Sequence, residues 1–243
     1  MDPNQRKVTS RKTVFSPPRP NSQSKRQVSI QQTTQGPIYF SSKCCAKEIK
    51  ISQDTLSVSC DIGYCTARIL RGVSQGAWYW EYLIHEGRNT CDMHSRVRVG
   101  VQSRYGNYNG PISINKHGYC YGQGKREGEL PQEILKKKKN GYRFWNEDGK
   151  GHGATYGEYY HPGDYVGCLL VWSYGGGQKN ASLEFFKNGI SQQVAFPTIL
   201  NINELYPSVS LYYGAVVTIN PGLPVKIPQT GIKYKVLNQL MVN

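Results

Sequence analysis

Short runs in which hydrophobic and polar residues alternate follow one another along most of the chain. The clearest is SRVRVGV at residues 95–101, where three valines fall on one face of a strand and Arg96 and Arg98 fall on the other. The valine face is predicted to be buried. The alternation by itself favours the view that both arginines only solvate an exposed strand face.

Eleven such runs occur between residues 48 and 220, with turn residues between them. They are EIKIS, TLSVSC, YCTARIL, AWYWEYLI, RVRVGV, GYCYG, YRFW, DYVGCLLVW, ASLEFF, YPSVSLYY and AVVTIN. The dipeptide Asn188-Gly189 between two apolar runs is the strongest short signal for a β-hairpin. Because no helical segment interrupts the strands, they predict an all-β fold in which two antiparallel sheets pack as a sandwich.

The beginning of the chain and one internal segment lack this alternation. Residues 1–42 are rich in Gln, Ser, Thr and Pro and carry seven Lys or Arg residues against one Asp, so they are predicted to form a disordered basic tail. Three interpretations of the tail are open: a nuclear localisation signal, a segment that binds nucleic acid, or a solvated segment without a specific role. Residues 125–141 contain four consecutive lysines and are predicted to form a solvated loop or a frayed helical turn.

The end of the chain predicts a different element. After the strand-rich domain, which is expected over residues 43–228, residues 229–243 have a helical spacing of apolar positions. These positions are Ile232, Val236, Leu237, Leu240 and Met241. They predict a short amphipathic C-terminal helix.

Composition and charge limit the possible functions. A formal net charge of +14 at pH 7 predicts attraction to polyanions or to acidic protein surfaces. The seven cysteines are an odd number without a C-x-x-C pair, and they are expected to be free in a reducing compartment. No run approaches the roughly 18 apolar residues of a membrane span. The chain is therefore predicted to be soluble and intracellular, without a membrane partner.

The sequence contains no recognisable catalytic motif. The stretch GKGHGATY, which begins at Gly149, lacks the lysine and hydroxyl positions of a phosphate-binding loop. The five histidines have no carboxylate or cysteine at a spacing that indicates a proton relay. Cys44, Cys45, Cys60 and Cys65 do not match a usual zinc pattern. We therefore expect no enzymatic activity, no cofactor and no bound metal.

Five separated blocks of the sequence resemble, in order, the signature blocks of the SPRY domain family. They are RGVSQGAWYWEYLI, RVGVQS, HPGDYVGCLL, LEFFKNGISQQVAF and LYPSVSLYYGAVVTINPG. The resemblance extends over about residues 47–228. It implies a bent sandwich of two antiparallel sheets that binds a partner and has no catalytic centre.

Within this family, two longer segments resemble the Ash-two subunit of Set-one/mixed-lineage-leukaemia (COMPASS-type) histone methyltransferase complexes. They are EIKISQDTLSVSCDIGYCTARILRGVSQGAWYWE and YPSVSLYYGAVVTINPG. The resemblance implies a nuclear adaptor that docks an acidic segment of a retinoblastoma-binding-protein-five-like subunit. Together with that subunit, such an adaptor stimulates methylation of lysine four of histone H-three by the methyltransferase catalytic subunit.

The docking surface of that family is a basic pocket of two tyrosines, two arginines and a proline. By motif, the first tyrosine corresponds to Tyr64, the first arginine to Arg98 and the proline to Pro111. The resemblance thus implies that Arg98 binds a carboxylate or a phosphate. Arg96 points the same way by alternation and is expected to add to the electrostatic field rather than to contact the ligand.

Two pocket positions depart from the family pattern. The second tyrosine falls on Ile114, and the second arginine falls near Gly122. Lys125 and Arg126 follow a few residues later and could replace the missing charge. A lysine, however, cannot reproduce the two-pronged hydrogen bonding of a guanidinium group.

Several alternatives are open at this point. In the Ash-two family a C-terminal helix docks into a dumpy-thirty dimer, so the helix predicted within residues 229–243 could bind such a partner or its own domain. A SPRY substrate receptor in ubiquitin transfer or signalling would have the same fold, although no RING pattern or recruiting box is visible. The net charge and the basic tail also agree with a nucleic-acid-binding protein that contacts DNA or the nucleosome.

Overall fold

The regular secondary structure of the described residues is almost entirely β-strand. The computed structural model describes residues 38–85, 87, 96–114, 116–123, 140–147 and 150–240. Within these ranges it contains fifteen strands, two single 3-10 turns and no α-helix. All eleven alternating runs of the sequence coincide with strands, which confirms the all-β prediction.

The strands have the following bounds. In chain order they are β1 (Phe40–Cys45), β2 (Lys50–Ile51), β3 (Ser57–Cys60), β4 (Cys65–Ile69), β5 (Ala77–Ile84), β6 (Arg96–Gln102), β7 (Gly118–Gly122), β8 (Asn140–Asn146), β9 (His152–Glu158), β10 (Tyr165–Gly175), β11 (Gln178–Lys187), β12 (Ile190–Ile199), β13 (Tyr206–Tyr212), β14 (Ala215–Asn220) and β15 (Lys235–Val236). The 3-10 turns are η1 (Ile112–Ile114) and η2 (Leu237–Gln239). Strands β1, β9, β12 and β15 lie outside the eleven alternating runs.

The strands form two sheets that pack face to face. One sheet has seven strands in the order β1-β4-β13-β6-β7-β8-β9. The other has eight, of which seven follow the order β12-β11-β10-β5-β14-β3-β2 and the eighth, β15, pairs with β5. A continuous hydrophobic core fills the space between them. The hairpin at Asn188-Gly189 is also confirmed, because both residues have the positive φ values, 51° and 83°, that a two-residue turn between β11 and β12 requires.

Strand β5 is buried on both of its faces. Trp78, Trp80 and Tyr82 belong to the main core. Tyr79 belongs to a separate small cluster, which includes Leu169 of the neighbouring strand β10 and Phe186 of β11. The chain that follows β14 packs against this second cluster and so covers the outer side of the eight-stranded sheet.

The predicted C-terminal helix is wrong. Lys235 and Val236 form strand β15, which pairs in parallel with β5, and the turn η2 follows. The strand is favoured because β14 pairs only with residues 81–84 of β5 and leaves the backbone of the first half of β5 open on that side. A short helix is in addition marginal in water, where about 12–15 residues are needed.

The apolar positions assigned to that helix therefore lie in different environments. Val236 and Leu237 are buried, Leu240 packs at the edge of the core, and Ile232 is 42% exposed. Met241 lies outside the described residues. The segment packs on its own domain, so the described residues present no helical face for a dumpy-thirty-like dimer.

Glu81 of β5 fastens the chain that follows β14. Glu81 is only 1% exposed. Its carboxylate accepts hydrogen bonds from the Tyr79 hydroxyl at 3.0 Å, from the Val225 amide at 2.8 Å and from the side-chain amide of Asn220 at 3.3 Å. A buried carboxylate is tolerated only when such donors satisfy it. These bonds therefore tie the C-terminal segment to the sheet.

The prediction of free cysteines is wrong for one pair. Cys60 ends β3 and Cys65 begins β4, and a disulfide joins them with their Cα atoms 6.4 Å apart. The two strands belong to different sheets, so the turn between them brings their ends together at the rim of the sandwich. The free cysteines among the described residues are Cys44, Cys45, Cys120 and Cys168.

The folded region begins before the predicted boundary at residue 43. Phe40 starts β1 and is buried, as is Ile38. The predictions for the basic tail fall mostly on residues 1–37, and those for the four-lysine segment fall mostly on residues 124–139; both ranges lie outside the described residues. No helix in the described parts of the chain has the length and apolarity needed to cross a bilayer.

Replacing Glu81 by Ala is expected to lower the free energy of unfolding by about 2–4 kcal/mol, because buried donors lose their acceptor. Glu158→Ala is the matched control, since it removes a carboxylate from a surface pair with Lys187 and should cost less than about 1 kcal/mol. Urea unfolding followed by tryptophan fluorescence measures both values. Equal losses in the two variants would contradict the anchoring role of Glu81.

Candidate functional site

The candidate site lies on the outer face of the seven-stranded sheet. Strand β6 runs between β13 and β7, so that Arg98 is opposite Ser210 on one side and Gly122 on the other. The valines of β6 are part of the core, and alternation therefore directs Arg98 away from it, as the sequence predicts. The two small neighbours leave a trough on the sheet surface, in which the Arg98 side chain lies.

The trough depends on the absence of a side chain at Gly122. A Cβ atom added there would lie 2.8 Å from Cγ of Arg98 and 3.3 Å from the ring of Phe144. Both distances are shorter than a favourable carbon–carbon contact of about 3.5–4.0 Å. Any larger residue at this position would therefore have to displace Arg98 or Phe144.

Two aromatic rings and a hydroxyl group orient the guanidinium group of Arg98. Its Cζ atom lies 3.8 Å from the ring centroid of Phe144 on β8 and 4.9 Å from that of Tyr64, just before β4. These residues come from opposite sides of β6 in the sheet. Nη1 donates a hydrogen bond of 3.0 Å to Oγ of Ser113. Such contacts restrict the rotamers of a planar cation and leave its charge intact.

A chain of hydroxyl groups holds the loop that carries Pro111 above the sheet. The Ile112 amide donates to Oγ of Ser210 at 2.8 Å, and the Ser210 and Thr66 hydroxyls are 2.7 Å apart. Thr66 in turn donates to the carbonyl of Gly110. Since each hydroxyl has one proton, Ser210 must donate to Thr66. The loop is thus fixed on both sides of Pro111.

The side chain of Arg98 lines a pocket of about 260 Å³, here named the Arg98 pocket. Its lining residues are Arg98, Pro111, Ser113, Ile114, Phe144, Gly151, His152 and Gly153. Ile114 is 53% exposed and forms part of the rim. The pocket therefore combines one cation with a hydroxyl, an imidazole and apolar walls.

No carboxylate neutralises Arg98 within the described residues, where the ion pairs involve other basic side chains. The nearby thiol of Cys120 does not neutralise it either. Burial raises the pKa of Cys120 to about 11, although the charge of Arg98 acts in the opposite direction, so the thiol is uncharged at pH 7. Arg98 therefore presents an uncompensated positive charge to the pocket. In the described part of the chain, no three His, Cys, Asp or Glu side chains converge on a metal site.

Arg68 on the same sheet face shows the contrasting case. It is 7% exposed, and its Nη1 donates to the carbonyl groups of Ser103 and Arg104 at 3.3 Å and 2.9 Å. Its Cζ atom lies 4.1 Å from the ring centroid of Tyr206. Arg68 thus uses its donors to hold the loop after β6, whereas Arg98 donates to the hydroxyl group of Ser113 in the wall of the pocket.

The structure brings together four of the residues that the sequence assigned to the partner-binding site. Arg98, Pro111 and Ile114 line one pocket, and Tyr64 packs on the Arg98 guanidinium. The assignments of Lys125 and Arg126 lie outside the described residues and stay predictions.

The sequence reasoning missed three contributors to the pocket. Phe144 forms the closest ring contact with Arg98, Ser113 accepts its hydrogen bond, and His152 forms part of the wall. The alternation in YRFW signals that Phe144 and Tyr142 share a strand face. It does not signal that β8 lies two strands away from β6, which only the sheet order shows.

Comparison with known proteins agrees with this architecture. The model of the SPRY domain family matches residues 48–224. The crystal structure of the SPRY domain of human HERC1 is similar with a TM-score of 0.51 and 19% sequence identity, over 74% of this chain and 96% of that chain. At this identity the likeness concerns the fold alone.

The chain is also similar in sequence to a longer curated protein. This relative is the Set1/Ash2 histone methyltransferase complex subunit ASH2 of Drosophila melanogaster, with 26% identity and a match that covers 78% of this chain. The chain spans 36% of the length of that relative.

Gly122→Ala is expected to displace the Arg98 side chain and to lower the free energy of unfolding by about 1–3 kcal/mol, because the added methyl group overlaps Cγ of Arg98. Gly63→Ala is the control, since a Cβ at Gly63 meets no atom within 4 Å. Chemical denaturation measures the stability of both variants, and a crystal structure of Gly122→Ala shows the arginine. An unmoved Arg98 with unchanged stability would refute the tight fit of the trough.

Proposed function

Because the chain belongs to the SPRY domain family, we propose that it is a non-catalytic, nuclear adaptor of a histone methyltransferase complex. It docks an acidic segment of a partner subunit in the Arg98 pocket. The observation that carries the proposal is the guanidinium group of Arg98, which is oriented, open to a pocket and without a carboxylate partner among the described residues. The similarity to the Drosophila subunit supports the choice of complex.

The chemistry of the pocket suits a carboxylate or a phosphate. A guanidinium group has five N–H donors, and one of them is used by Ser113. Nε of Arg98 is buried, so a ligand reaches the two Nη groups instead. Charge-assisted hydrogen bonds from these groups are shorter and stronger than neutral ones. Pro111 and Ile114 provide apolar surface for the residues that flank the acidic group.

At the level of the complex, the docked segment belongs to a retinoblastoma-binding-protein-five-like subunit. Docking places the adaptor beside the methyltransferase catalytic subunit and stimulates methylation of lysine four of histone H-three. The adaptor contributes binding and orientation, since proximity and correct positioning of bound groups can accelerate a reaction without a further catalytic group.

Arg98→Ala is expected to weaken binding of the acidic partner segment by about 1.5–3 kcal/mol, the range for a hydrogen bond to a charged group, with little change in thermal stability. Arg98→Lys should recover only part of the loss, because it keeps the charge and loses the planar fork. Isothermal titration calorimetry at two salt concentrations measures the affinities.

The control for this series is Arg104→Ala, which removes the same charge from an exposed arginine outside the pocket. It should alter the salt dependence slightly and leave the affinity nearly unchanged. If Arg104→Ala and Arg98→Ala lose equal affinity, binding depends on the overall positive charge, and the Arg98 pocket is not the docking site.

Adding the protein to a reconstituted methyltransferase, with catalytic subunit, partner subunit and histone H-three, is expected to raise the methylation rate. The Arg98→Ala variant should require a higher concentration for the same rate, because its docking is weaker. Radiolabelled methyl transfer measures both. A rate that does not respond to the wild-type protein would refute the adaptor function.

A further inference from the structure

Arg96 lies on the same strand face as Arg98 but outside the Arg98 pocket. They are two positions apart, which corresponds to about 6.6 Å along β6. Arg96 is half-buried and lies opposite Tyr212 of β13. Within the described residues its side chain forms neither a hydrogen bond nor an ion pair. A second arginine with unused donors is therefore held beside the first.

An aromatic surface connects the two arginines. The ring centroids of Tyr212 and Tyr64 are 4.9 Å apart, and the Tyr64 ring centroid lies 4.9 Å from Cζ of Arg98. The strand register places Tyr212 directly beside Arg96. A ligand bound at Arg98 can therefore continue towards Arg96 along a surface of tyrosine rings without crossing a carboxylate of the strands concerned.

The segment that follows β9 forms the other side of Arg96. The Tyr160 hydroxyl donates to the carbonyl of Val97 at 2.7 Å, which fixes this segment next to the beginning of β6. The neighbouring Tyr159 is close to Arg96. Burial raises the pKa of the Tyr159 hydroxyl, and the positive charge of Arg96 lowers it. The Tyr159 ring also packs on His161, with ring centroids 4.9 Å apart.

The acidic residues of this segment are already engaged. Nζ of Lys187 lies 3.2 Å from the carboxylate of Glu158 and 3.7 Å from that of Asp164, and it donates to the carbonyl of Tyr159. Lys187 thus pairs with both carboxylates that flank the segment, and neither carboxylate forms an ion pair with Arg96 among the described residues.

We infer that Arg96, Tyr212 and Tyr159 form a second anion subsite, and that this surface selects a segment with acidic side chains at positions i and i+2. In an extended peptide such side chains lie on one face about 6.6 Å apart, which equals the spacing of Arg96 and Arg98. The inference rests on the proposed docking at Arg98 and specifies the partner. In this inference Arg96 contacts the ligand directly, whereas from the sequence we expect it only to add to the electrostatic field.

Synthetic peptides of equal length test the spacing. Each contains two glutamates among serines, placed at i and i+1, at i and i+2, or at i and i+3, and a fourth peptide contains a single glutamate. NMR titration at fixed ionic strength measures each affinity. The wild-type protein should bind the i, i+2 peptide about three- to fivefold more tightly than its isomers, the range for a partly exposed ion pair.

Arg96→Gln should abolish this preference and leave the single-glutamate peptide unaffected, while the matched variant Arg104→Gln should retain the preference. Equal affinity of the wild-type protein for the three isomers would overturn the second subsite, as would an equal loss of all four peptides in Arg96→Gln. A different result would show that docking at Arg98 itself is wrong. In that case the Arg98→Gln variant would bind the single-glutamate peptide as tightly as the wild-type protein does.

Discussion

The packing of the Arg98 guanidinium group on Phe144 and Tyr64 is the interaction on which the whole binding face depends. Arg98 lies on β6, Phe144 on β8 and Tyr64 just before β4, so the contact exists only in the folded sandwich. It also requires the small residues Gly122 and Ser210 on either side of the arginine. The side chain is thereby ordered when the protein folds rather than when the partner binds, which removes part of the entropic cost of association.

The same strand links this face to the stability of the domain. Alternate residues of β6 fill the core with valines, so a shift of one residue in its register would bury Arg98 and expose them. The hydroxyl groups of Thr66 on β4 and Ser210 on β13 form the hydrogen bonds that fix the loop of Pro111. The core, the strand register and the pocket therefore depend on one another, and the hydrogen bonds of Glu81 fasten the C-terminal segment to the opposite sheet.

Much of this arrangement can be predicted from the alternation of residues along the sequence. The rest depends on contacts between residues that are distant in sequence. Alternation predicts the strands and the direction of Arg98, and the family resemblance places Tyr64 and Pro111 beside it. Phe144 becomes a neighbour only through the order of β6, β7 and β8. The C-terminal helix fails as a prediction because apolar spacing does not reveal that β5 has an open backbone edge, which Val236 and its neighbour fill. Similarly, sequence spacing gives no sign that β3 and β4 enter different sheets.

The most direct test of the account is an NMR titration that resolves the side-chain resonances of individual arginines while the acidic partner segment is added. The account predicts that the Arg98 side-chain resonance shifts and saturates together with the backbone amide of Ser113, because ligand binding changes the guanidinium group and its hydrogen bond. The resonance of Arg104, which lies outside the pocket, should hardly change. Shifts of equal size at Arg98 and Arg104 would contradict the account, because they would show a diffuse attraction to the positively charged surface rather than docking in one pocket.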